Sequence, residues 1–153
     1  MNKQQLLSSA KELQQVNHNT AKEYLEKSEI LIGKINTKML NREDIKNLIG
    51  ENNLDMMKDN HANHARFIHS ILTHYDAETL VDTILWVFRA YRSHGFSMNY
   101  WAAQLNAWIE ILKEVLSEES YAEIHPYYNW MLIHIPAFVS LSDEKLGSIN
   151  PVH

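Results

Sequence analysis

Histidine is the one residue type in this chain whose abundance suggests chemistry. There are nine histidines and no cysteine, so thiolate catalysis and disulfides are excluded. His61 and His64, in the run HANH, place two imidazoles one helical turn apart. A zinc site needs three or four ligands. The others would have to come from His69, His125 or His134, which the sequence does not place, so no metal site is expected. A di-iron bundle needs inward glutamates and Glu-x-x-His pairs. No acidic residue shares the stripe of His61 and His64, and the sequence contains no Glu-x-x-His. The four glycines are isolated, so there is no phosphate loop. No Ser stands in a nucleophile motif, and no titratable pair is spaced for acid–base work. No catalytic residue is assigned, and an enzyme is not expected.

The elements that must carry these residues are helices. Apolar residues recur at helical spacing throughout, with readable starts and stops. A first helix is expected over Lys3–Val16. A second starts at a Thr20/Glu23 capping box and buries Tyr24, Leu31 and Ile35. Lys34–Asn41 reads as a loop. Asn41 caps a short helix ending before Gly50, and Asn52 or Asn53 opens a long one to Thr73. Asp76 caps Ala77–His94, which Gly95 ends in a left-handed conformation. Ser97 caps the next helix, with Phe96 and Trp101 at the spacing of a hydrophobic staple. Ser117 caps a last region to Leu141, which Pro126 and Pro136 should break or kink. This gives an all-α bundle of about seven helices, one domain over residues 1–141 and a tail over 142–153.

Composition narrows the partners. The formal charge is −5, with scattered Lys and Arg, so the basic footprint of nucleic-acid binding is missing. No apolar run approaches the roughly 20 residues of a membrane span, and the N-terminus lacks a signal-peptide core. A cytoplasmic protein with no nucleic-acid or membrane partner is expected.

On a helical projection at roughly 100° per residue, His61 and His64 fall inside the apolar stripe of the long helix, with Leu54, Met57, Ala65, Ile68, Ile71 and Leu72. Imidazoles there must hydrogen-bond in the core, line a pocket or bind something. On the following helix Tyr91 is central, with His94 at the margin. A ligand pocket is expected from His61, His64, Tyr91, His94, Met57 and Ile68, its ligand unidentified. The Ser97-capped helix has a main stripe of Met98, Trp101, Leu105, Trp108, Leu112 and Val115, and a second patch of Tyr100, Ala103, Ala107 and Ile111. The last helix is apolar nearly all round. Uncovered faces of this kind imply a partner. A homodimer through Tyr100, Ala103, Ala107, Ile111 and Trp130 is expected, or contact with another protein.

The stretch YRSHGFSMNYWAAQLNAW, residues 91–108, resembles a segment of bacterial globin-coupled sensors. There the helix with the haem-ligating histidine ends in a pattern close to H-x-x-x-G-L-x-x-x-W/Y, followed by a dimer-forming helix. Gly95, Phe96, Asn99, Tyr100 and Trp101 occupy its later positions. GFSMNYWAAQL also resembles the non-haem globin-like N-terminal domains of stressosome proteins, which carry G-L-S-M-K-F-L at this place. The resemblance implies a globin-like fold and a sensory or ligand-binding regulatory role. Tyr91 stands where haem globins have their proximal histidine, which points to a non-haem domain without a cofactor. A haem or tetrapyrrole sensor, with His94, Tyr91 or a distal histidine as ligand, is the alternative. A helical interaction module without small ligand is another. Stressosome proteins carry an output domain after the sensor, whereas residues 142–153 here are expected to form only a tail.

Overall fold

The computed structural model describes residues 1–148, so the end of the expected tail lies outside the described residues. Among them are nine α-helices and no strand: α1 (Lys3–Ala10), α2 (His18–Glu26), α3 (Ser28–Leu40), α4 (Ile45–Ile49), α5 (Leu54–Thr73), α6 (Ala77–Arg92), α7 (Asn99–Val115), α8 (Glu118–Ile133) and α9 (Ile135–Ser148). The chain is all-α, with two more helices than the seven expected. The second expected helix divides at Lys27, whose backbone leaves the helical range at φ −98° and ψ 4°. The last divides at His134, just ahead of Pro136. Pro136 then sits in the first turn of α9, where no intrahelical N–H bond is lost. Pro126 lies inside α8 without ending it. It and Ala122, four residues earlier, are both exposed, so the missing hydrogen bond falls on the solvated side. α9 continues past residue 141, so the expected tail begins as helix.

One further correction arises because polar residues engage a distant helix instead of their own terminus. Asn17, not Thr20, caps α2, accepting from the Asn19 amide. Thr20 donates to Glu123 at 2.7 Å, and Glu23 accepts from the Ser117 and Ser120 hydroxyls, both at 2.8 Å. The supposed capping box thus fastens α2 to α8. α1 ends at Ala10, well before Val16. Phe96 meets Tyr100, at 4.9 Å between ring centroids, in place of the expected staple to Trp101.

The turn between α6 and α7 follows the glycine signal. Gly95 has φ 97° and Gly50 has φ 80°, a region where side chains bearing Cβ are strained. A Cβ on Gly50 would stand 3.2 Å from the Gly95 carbonyl oxygen. Asn53 donates from Nδ2 to the carbonyls of Ile49 and His94, at 2.7 and 2.8 Å. The α4–α5 loop is thereby pinned to the α6–α7 turn, which fixes the angle at which α7 leaves.

α7 lies between α3 and α8, α5 packs on α2 and α3, and α6 on α1 and α9. Lys34–Asn41 is helical up to Leu40, and Ile35 and Met39 are buried. This extension of α3 covers the second apolar patch of α7. Tyr100, Ala107 and Ile111 are buried inside the chain, and Ala103 is half-buried. Trp130 is buried too, packing on Phe138 and donating from Nε1 to Ser9 at 3.0 Å. The patch read from sequence as a dimer surface is therefore an internal packing face, because the helix that covers it had been read as a loop.

Candidate functional site

Between the flank of α5 and the facing sides of α6, α7 and α8 lies a cavity of about 200 Å³. Its wall is largely apolar and aromatic: Phe67, Ile84, Val87, Phe88, Trp101, Leu105 and Met131, with Trp86 at its edge. Polar side chains line it from Asn60, Asn63 and His64 on α5, Thr83 and Tyr91 on α6 and Gln104 on α7. No Asp, Glu, Lys or Arg lines it. Small-ligand sites have this make-up, an apolar wall with a few placed polar groups.

The geometry of α5 explains which expected residues reach the cavity. Met57, His61 and Ile68 are fully buried but do not line it. They belong to the stripe facing the core. The cavity meets α5 about a quarter turn away, along Asn60, Asn63, His64 and Phe67. His64 sits where the two faces join. His94 is exposed in the α6–α7 turn and contributes its backbone carbonyl to Asn53. Of the six expected pocket residues, the structure brings only His64 and Tyr91 to one cavity.

His64 is held by a relay through three helices. Its Nε2 lies 2.8 Å from the Tyr128 hydroxyl, which lies 2.9 Å from the Tyr24 hydroxyl. Its ring packs on Trp108 at 4.8 Å between centroids. His61 makes a separate network. Its Nδ1 stands 2.7 Å from Asn36 Oδ1, and its Nε2 3.2 Å from the Tyr100 hydroxyl. Tyr100 also donates to Asn60 Oδ1 at 2.7 Å, and Gln104 donates to that same oxygen at 2.9 Å. The Tyr100 hydroxyl has one proton for two acceptors. The two wholly buried indole nitrogens of Trp101 and Trp108 have no partner among the described residues.

Burial keeps the site uncharged. Desolvation lowers His61 to about 4. Desolvation, reinforced by His61, lowers His64 to about 3. Both rings are neutral at physiological pH. Burial also raises Tyr91, against the pull of the Asn63 and Asn60 amides and with a smaller push from Asp59. Burial, with Tyr91 adding a smaller push, holds Tyr100 well above the ordinary phenol range. Burial likewise holds Tyr128 well above it, with Tyr24 reinforcing the effect. The site therefore offers hydrogen-bonding groups and no charged side chain. Among the described residues no three His, Cys, Asp or Glu gather as a metal group, and no helix is long and apolar enough to cross a membrane.

Several site residues escaped sequence reasoning. Gln104 shares an i, i+3, i+4 row with Trp101, Leu105 and Trp108, so an amide on an apolar stripe was visible there as it was for the histidines. Asn60 carried no such signal, since it stands beside the apolar stripe of α5 and not on it. Tyr24 and Tyr128 carried none, since tyrosines on apolar faces are ordinary core residues.

No protein-family model, curated protein or solved structure matches this chain.

Proposed function

We propose that the chain is a globin-like sensory or ligand-binding regulatory domain that takes a small, uncharged molecule into the cavity between α5, α6, α7 and α8. The observation that carries this reading is the convergence of His64 and Tyr91, from separate helices, on one apolar cavity of about 200 Å³. Cavities of roughly 150 Å³ already admit benzene, so the volume suits a molecule of one ring or a short chain. A tetrapyrrole fits less well. The space is below the roughly 300 Å³ at which drug-sized pockets begin, and His64 Nε2 is engaged by Tyr128. The Tyr91 hydroxyl lies beside the Asn60 and Asn63 amides. The globin-like arrangement rests on the 91–108 resemblance and on the facing of α5 and α6 residues across the cavity.

Occupancy is passed on through contact with a partner protein or a second copy. Trp86 supports this part of the reading, being 61% exposed at the edge of the cavity, where ligand and partner can both reach it. The test is an absorption spectrum of protein purified from its native host, with mass spectrometry of the molecules it releases on unfolding. The reading expects no Soret band and a released neutral small molecule. A Soret band overturns the non-haem assignment, and a protein that releases nothing counts against the ligand.

A further inference from the structure

The hydrogen-bond relay behind His64 fixes more than its position. Tyr24 is fully buried, and its hydroxyl has one partner among the described residues, Tyr128. The relay can run in two directions. If His64 Nε2–H donates to Tyr128, Tyr128 donates to Tyr24, and the Tyr24 proton is left buried with no acceptor. If Tyr24 donates to Tyr128, and Tyr128 to an unprotonated His64 Nε2, both buried hydroxyl protons are placed. An unmade buried bond is costly, so the second direction wins. The neutral imidazole then carries its proton on Nδ1. That nitrogen has no partner among the described residues, and it is not among the buried unpaired atoms. His64 itself is partly accessible and lines the cavity.

We propose that His64 offers an Nδ1–H donor to the cavity, its tautomer imposed by Tyr24 through Tyr128, and that the ligand is an uncharged, mainly apolar compound bearing a carbonyl-type acceptor. The ligand class rests on the reading of the cavity as a binding site. The absence of charged side chains from the wall excludes a carboxylate or an ammonium group, since a buried charge without a counter-charge is strongly unfavourable.

Two measurements test this. The first is a two-bond nitrogen–proton correlation spectrum of the wild-type protein, uniformly labelled with ¹⁵N, at neutral pH. It should show His64 protonated on Nδ1 and bare on Nε2; a proton on Nε2 overturns the donor assignment. The second is calorimetric titration with toluene, acetophenone and benzoate, three probes of one ring. Acetophenone should bind about five-fold more tightly than toluene, the worth of one neutral hydrogen bond, and benzoate should be the weakest. His64→Leu should remove the preference for acetophenone and keep toluene binding. Acetophenone no tighter than toluene in the wild-type protein overturns the ligand class, as does a preference that survives His64→Leu. Failure of all three probes to bind overturns the cavity reading itself and the ligand class with it, while the nitrogen spectrum still decides the tautomer.

Discussion

Tyr128 places its hydroxyl 2.8 Å from Nε2 of His64, and this bond ties α8 to α5 in the middle of the bundle. Because the Tyr128 hydroxyl also lies 2.9 Å from that of Tyr24 on α2, it is the shared member of the relay. Tyr128→Phe leaves both His64 Nε2 and the buried Tyr24 hydroxyl unpaired. It should cost about 1–3 kcal/mol. Tyr24→Phe removes only the donor end, since Tyr128 can still donate to His64, and should cost less. Urea unfolding of the two variants compares them directly. Equal losses, or a larger loss for Tyr24→Phe, contradict the direction assigned to the relay.

Tyr100 gives a second prediction. Its hydroxyl serves Asn60 Oδ1 and faces His61 Nε2. Tyr100→Phe keeps the ring packing and removes the proton that both acceptors share. A destabilisation of about 1–3 kcal/mol is expected, with the helical circular dichroism unchanged. A neutral result would mean that neither acceptor depends on Tyr100.

The third prediction concerns pH. Folded His61 and His64 bind protons only near 4 and 3, whereas in the unfolded chain they do so near the ordinary value of about 6.5. The unfolded state thus holds more protons between these limits, and stability falls as pH drops through that window. The slope approaches about 1.4 kcal/mol per pH unit for each ring. Glu23 adds a later loss. Although burial raises it, the Ser117 amide, Lys27 and the Ser117 and Ser120 hydroxyls lower it to about 2. Its contribution is present above about 4.5 and is lost as pH falls toward 2. Denaturant midpoints measured from pH 7.5 to 4.5 should therefore fall before the carboxylates titrate. A flat profile over pH 7 to 5 contradicts the burial of the two imidazoles.

Much of the framework was legible because it depends on local chemistry. Gly95, Ser117 and the long apolar stripe of α5 each announced a boundary or a face that the structure keeps. His61 and His64 stood out because an imidazole inside an apolar stripe must find a partner. The division of labour between them was not legible. The two positions differ by about 60° around the helix, and only the packing of α3 on one side decides that His61 meets Asn36 while His64 meets the cavity. The α7 patch was misread for a related reason. Lys34–Asn41 reads as a loop in the sequence, yet Lys34 and Lys38 are exposed while Ile35 and Met39 supply buried contacts, so tertiary packing overrides the weak local signal.

Filling the cavity shows whether it holds a ligand. Leu105 lines it, and Leu105→Phe should occupy part of the space at a cost of about 1–3 kcal/mol, leaving the fold intact. The measurement is the mass of wild-type and Leu105→Phe protein from the native host, recorded under non-denaturing and denaturing conditions. The wild-type protein should carry a discrete small-molecule mass that unfolding releases, and folded Leu105→Phe should carry none. Equal masses for the wild-type protein in both conditions, or a bound mass that Leu105→Phe retains, would contradict a ligand in this cavity.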